Sequence, residues 1–238
     1  MNAAIPIVEI ANVTKAYAGL RPLRLRWLSI APAERVAVLG LDAAAAELLV
    51  NLVTGVALPD AGVIRVQGQP TADIATGEAW LASLDRFGIV SDRAVMMEGA
   101  TLAQNLALPF SLEIDPIPAD LRARVSAIAD ECGLSGDAGV WLDRPAGDAP
   151  PEVRMRGHLA RGIALGPSVL LVEHPTAAIP ESARAALADD IIRVTDARRI
   201  ASLIITTDQS FARRVAHRTL TLNGTTGELA PLRTRWFG

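Results

Sequence analysis

Three short apolar runs without polar alternation constrain this chain more than any other feature: residues 35–39 (RVAVL), 168–172 (SVLLV) and 201–206 (ASLIIT). A strand covered on one face alternates apolar with polar residues. A continuous run of this length suits a strand buried on both faces. The first run ends at Gly40, and Asp42 is placed to cap a helix over residues 43–53, where Ala and Leu recur at helical spacing. The second run ends in Glu173-His174-Pro175, and Pro180 opens a helix over residues 181–193. A helix near residues 210–216 follows the third. Strands alternating with helices imply an α/β fold with a parallel-containing sheet.

Around this skeleton, residues 7–13 and 21–30 alternate as strands. Pro59-Asp60-Ala61-Gly62 is a turn before a further strand at 63–66. Residues 94–157 differ in character. They hold helical patterns at 102–108 and 119–131 joined by Pro-rich connectors, and read as a helical insertion within one domain spanning 1–238. Another helix is expected at 157–165.

Composition removes several function classes. The 238 residues carry 23 Lys+Arg against 26 Asp+Glu, a net charge of −3, which gives no support to nucleic-acid binding. One cysteine, Cys132, excludes an internal disulfide framework and a Cys-rich zinc site, and no metal site is expected. No long uncharged apolar run and no signal-peptide pattern occurs, so the expectation is a soluble, cytoplasmic chain. Lysine occurs only at Lys15. Chemistry that needs a lysine must use that residue.

Buried strand, glycine, helix, and then a second buried strand ending in an acid form the skeleton of a nucleotide-binding α/β domain, in which phosphate rests on amides at a helix start. The segments Asn12-Val13-Thr14-Lys15-Ala16-Tyr17, Phe87-Gly88-Ile89-Val90, Thr101 to Leu106, Leu159 to Leu165, Leu170 to Thr176 and Ile204 to Asp208, with their mutual spacing, resemble the nucleotide-binding subunits of ATP-binding-cassette (ABC) transporters. The resemblance runs nearly end to end. It implies a P-loop NTPase-like ABC ATPase fold: a mixed sheet core, an antiparallel N-terminal β subdomain and an inserted helical subdomain. It also implies ATP and magnesium as cofactors, a multi-pass membrane permease as partner, dimerisation with itself or another ABC subunit, and a peripheral position on the cytoplasmic face of the membrane.

The chemical positions depart from that family. A phosphate loop reads G-x-x-x-x-G-K-[ST]. Here Gly40 stands, but the second glycine is Ala45, the lysine is Ala46 and the magnesium-binding hydroxyl is Glu47. The second acidic position is Glu173 in place of aspartate, and His174 occupies the general-base position. The signature falls on Ala149-Pro150-Pro151-Glu152-Val153, the glutamine-loop position is Asp92, the switch histidine is Thr207, and the following dimer-contact aspartate is Pro180. Proline lacks an amide hydrogen, and Glu152 would repel a phosphate. His158 and His217 are expected to be structural or surface residues on helices, without partners. Tyr17 stands at the adenine-stacking position, with a plain core or surface role equally open.

These losses imply a catalytically degenerate subunit with a weak or vestigial nucleotide site at Tyr17, Gly40, Ala45, Ala46 and Glu47, and with Glu173, His174 and Thr207 only as position equivalents. The alternatives are an atypical active ABC ATPase and an α/β interaction module unrelated to transport. The stretch from Val95 to Phe110, with Met96 and Met97, reads either as a docking groove for the permease or as core of the insertion. The basic-aromatic tail at 233–237 reads as a contact peptide or a loose terminus.

Overall fold

The computed structural model describes residues 5–19 and 21–232; the tail at 233–237 lies outside them. In chain order the elements are β1 (Val8–Lys15), β2 (Leu23–Ile30), β3 (Arg35–Leu39), α1 (Ala43–Val53), β4 (Ala61–Val66), β5 (Gln69–Pro70), α2 (Gly77–Leu84) and β6 (Phe87–Val90). Then come α3 (Leu102–Ala107), α4 (Ala119–Glu131), α5 (Pro151–Ile163), β7 (Val169–Glu173), α6 (Glu181–Arg198), β8 (Ala201–Ile205), α7 (Gln209–Val215), β9 (Arg218–Leu222) and β10 (Leu229–Pro231). The contacts group the chain into two units: residues 1–84 with 201–238, and residues 85–200.

In the first unit, β1 pairs antiparallel with β2 on one side and β4 on the other, and β5 extends β4. Alternating Val8, Ile10 and Val13 put one face of this sheet into the core. A second sheet centres on β3, which pairs parallel with β8 and β9, while β10 adds antiparallel to β9. All five residues of β3 and of β8 are buried, as their unbroken apolar character demands. Arg35 is tolerated there because its Nε–H donates to the Val215 carbonyl at 2.8 Å. His217 does have a partner: its Nδ1 accepts the Arg35 amide at 3.0 Å. It sits in the connection after α7 rather than on a helix.

In the second unit, β6 and β7 pair parallel, with Phe87 opposite Val169 and Val90 opposite Val172. Helix α5 packs on β6 and carries contacts to α3, α4 and α6. It begins at Pro151, six residues before the expected start at 157. A proline in the first turn removes only a donor that the helix leaves unused. Helix α6 runs past the expected 193 to Arg198 and is closed by Arg199 in the left-handed conformation, φ 55°.

Gly88 of β6 lies against α5 so closely that a Cβ there would stand 2.2 Å from the Gly162 carbonyl oxygen. That obstacle is backbone and cannot rotate away. Gly88→Ala is expected to cost about 2–3 kcal/mol in urea denaturation, as overpacking does. An unchanged midpoint would show that β6 and α5 are further apart than described.

Candidate functional site

The first unit carries the phosphate-loop region. Only Gly40, Leu41 and Asp42 separate β3 from α1, which spans Ala43–Val53 as expected, so the positions of the second glycine and the lysine lie inside the helix. Gly40 has φ 94°, and a Cβ on it would come within 2.9 Å of the Leu222 carbonyl oxygen, which explains why glycine persists here. Asp42 caps α1: its Oδ1 accepts the Ala45 amide at 2.8 Å, while its carbonyl accepts the Ala46 amide at 2.9 Å. The amides at the second-glycine and lysine positions are therefore spent inside the helix cap. Ala46 is fully buried and offers neither charge nor exposed surface.

A cleft of about 460 Å³ opens at this point, with Tyr17, Gly40, Asp42 and Ala45 in its lining; Ala46 and Glu47 do not reach it. It also holds two cations that motif reasoning passed over, Arg21 and Arg24. Arg21 Nη1 donates to Thr225 Oγ1 at 2.9 Å and Arg24 Nη1 to the Thr225 carbonyl at 3.2 Å. Burial, with the nearby Asp42 charge, raises the Tyr17 phenol above its ordinary value. Lys15 is committed to Asp60 at 2.7 Å and supplies nothing to the cleft. Thr207 is exposed in the first unit, in the link between β8 and α7.

Glu173 and His174 belong to the second unit. Glu173, 4% exposed, closes β7, and both its oxygens are held by one guanidinium: Arg93 Nε at 2.8 Å and Nη2 at 2.5 Å. A cation bound in this fork occupies the electrostatic place that a divalent metal would take on a carboxylate. His174 follows with φ 42°, its Nε2 buried without a partner in the protein. The signature-equivalent residues lie at the start of α5, where Pro150 is the N-cap and Pro151 the first residue. Neither has an amide hydrogen to offer a phosphate. Burial raises the Asp92 carboxyl, with Arg154 opposing. Among the described residues no group of three His, Cys, Asp or Glu side chains is placed to hold a metal ion.

The stretch from 95 to 110 divides. Leu102, Ala103, Leu106 and Ala107 are core, and Asn105 is buried, its Oδ1 accepting the Met97 amide at 2.8 Å. Val95 and Met97 remain exposed.

No family model matches the chain. It is 30% identical over 220 residues to the methionine import ATP-binding protein MetN of Caulobacter vibrioides, covering 91% of this chain and 64% of that protein. It is also 30% identical over 222 residues to the sulfate/thiosulfate import ATP-binding protein CysA of Methylococcus capsulatus, covering 91% and 60%. The chain thus spans about three-fifths of the length of these curated relatives. Among solved structures, the dimeric bacterial ABC transporter cassette MJ0796 superposes with a TM-score of 0.75 at 20% identity, covering 95% of this chain and 99% of that one.

Arg93→Met would leave the buried Glu173 carboxylate without its guanidinium. The expected cost is about 1–2 kcal/mol in chemical denaturation, since Arg93 is itself partly exposed. Adding Glu173→Gln should recover part of it, a coupling that a double-mutant cycle reads directly. Simple additivity would show that the pair contributes nothing.

Proposed function

We propose that this chain, which has the ABC cassette fold and is similar in sequence to the ATP-binding subunits of ABC importers, is a catalytically degenerate subunit: a pseudo-ATPase with a structural or regulatory role on a membrane permease. The observation that carries this reading is the cap of α1. Asp42 holds the Ala45 amide, so an incoming phosphate meets a carboxylate where it needs a donor.

ATP and magnesium do not fit the residues present. The lysine position is the buried Ala46, and Glu173 is already forked on Arg93. What remains is stacking on Tyr17, worth roughly 1–3 kcal/mol against the ~4 kcal/mol that a millimolar affinity requires, and Arg21 and Arg24, both hydrogen-bonded to Thr225. The contribution of the chain to a partner cassette is equally poor, because the Pro150-Pro151 start of α5 lacks the amides of a signature. A homodimer would then have no complete site, and a heterodimer with a competent cassette would lack one.

The intact cores of the two units support a retained scaffold role. We read the chain as one ABC-type domain, placed on the cytoplasmic face of the membrane, with exposed Val95 and Met97 as the permease contact. The two similar ATP-binding proteins, at equal identity, serve import of different substrates, methionine and sulfate/thiosulfate.

Purification from detergent-solubilised membranes tests the reading. The chain is expected to bring down a multi-pass membrane subunit, to lose it at least tenfold when Val95→Asp and Met97→Asp are combined, and to show no magnesium-dependent ATP hydrolysis of its own. Hydrolysis that an alanine at Glu173 or His174 abolishes would make it an atypical active ATPase. A purely soluble chain would place it outside transport.

A further inference from the structure

The second unit holds a cavity of about 260 Å³ beside the proposed permease contact, with Val95 in its lining. Its lining includes His158 of α5, 5% exposed, and half-buried Arg154 one turn earlier on the same helix. The loop after β6 contributes Asp92, Met96 and Glu98. His158 Nδ1 is buried and has no hydrogen-bond partner in the protein. Arg154 and Asp92 sense each other electrostatically, yet among the described residues the side chains of Arg154, Asp92 and Glu98 form no ion pair or hydrogen bond. Arg93, which also lines the cavity, is committed to Glu173.

Buried polar groups in folded proteins are ordinarily satisfied, so an orphan imidazole nitrogen on a residue that lines a cavity calls for a partner. Burial, aided by the charges of Arg161 and Arg154, pushes the His158 imidazole down to about 4. At neutral pH it is uncharged and can make one further hydrogen bond at Nδ1. The cavity thus offers one cation and one neutral hydrogen-bonding nitrogen inside, and two carboxylates at its edge. A simple anion would find Arg154 but face Asp92 and Glu98. A simple cation would find the carboxylates but leave Arg154 and His158 unmet. A ligand with both charges a few bonds apart satisfies all four. The volume lies just under the roughly 300–1,000 Å³ of drug-sized sites, so the ligand has few heavy atoms.

We propose that this cavity binds a small zwitterion of the α-amino-acid type, its carboxylate on Arg154 and His158 and its ammonium at Asp92 and Glu98. Every residue involved lies in the second unit, so the site stands whether or not the chain is a pseudo-ATPase. The ligand joins α5 to the loop that also carries Val95 and Met97.

Calorimetric titration of the full chain with glycine, L-alanine and L-serine tests this, with propionate and ethylamine as single-charge controls. The expected result is saturable millimolar binding of at least one amino acid and none of either control. Arg154→Met should weaken it at least tenfold, and Asp92→Asn severalfold, with circular dichroism unchanged. A shift of the His158 ring signals in NMR on adding L-alanine to the unmodified protein gives a readout that needs no variant. Absence of heat with all three amino acids, or propionate binding as well as L-alanine, overturns the assignment.

Discussion

The hydrogen bond from the Ala45 amide to the Asp42 carboxylate is the contact on which the use of this fold turns. A helix start leaves its first amides unpaired, and those amides can serve a side-chain cap or a bound anion, but not both at once. Here the cap has the Ala45 amide. The bond contributes about 1 kcal/mol to α1. Its larger consequence is electrostatic: a carboxylate stands where a polyphosphate would lie, with no lysine to offset it. The continuous apolar strands of the two units do not depend on phosphate chemistry.

The same substitution of internal charges for external ligands recurs at Glu173. Its carboxylate is buried and would be costly unpaired, and Arg93 satisfies both oxygens. In each case the protein supplies the missing counterpart from its own sequence: a carboxylate on the helix amides, a guanidinium on the buried acid. A chain with Ala46 and Glu47 at the positions of a lysine and a hydroxyl gains stability from such internal pairing, and the gain opposes ligand entry.

Much of this is legible in the sequence. Strand β3, helix α1 over Ala43–Val53 and its Asp42 cap follow from an unbroken apolar run, a glycine and an Ala/Leu-rich helix, which are all local signals. The elements with little sequence signal are short or lie at sheet edges: β5, β10, and α2, whose start carries no strong signal. Strand β9, Arg-Thr-Leu-Thr-Leu, does alternate and was findable. The helix expected at 157–165 begins earlier, at Pro151, because proline is at home in a first helical turn. In the site, the absent lysine was plain from composition. The Arg93–Glu173 fork joins residues 80 apart and could not be read from spacing, and neither could the pairing of His217 with Arg35.

The central claim is that the nucleotide site is closed by the protein's own groups. Calorimetric titration of the purified chain with magnesium-ATP to millimolar concentration tests it most directly. The account predicts no saturable binding. Saturable binding that Tyr17→Ala abolishes would contradict it: the cleft beside α1 would then be a working nucleotide sensor, with Arg21 and Arg24 supplying the charge that Ala46 lacks.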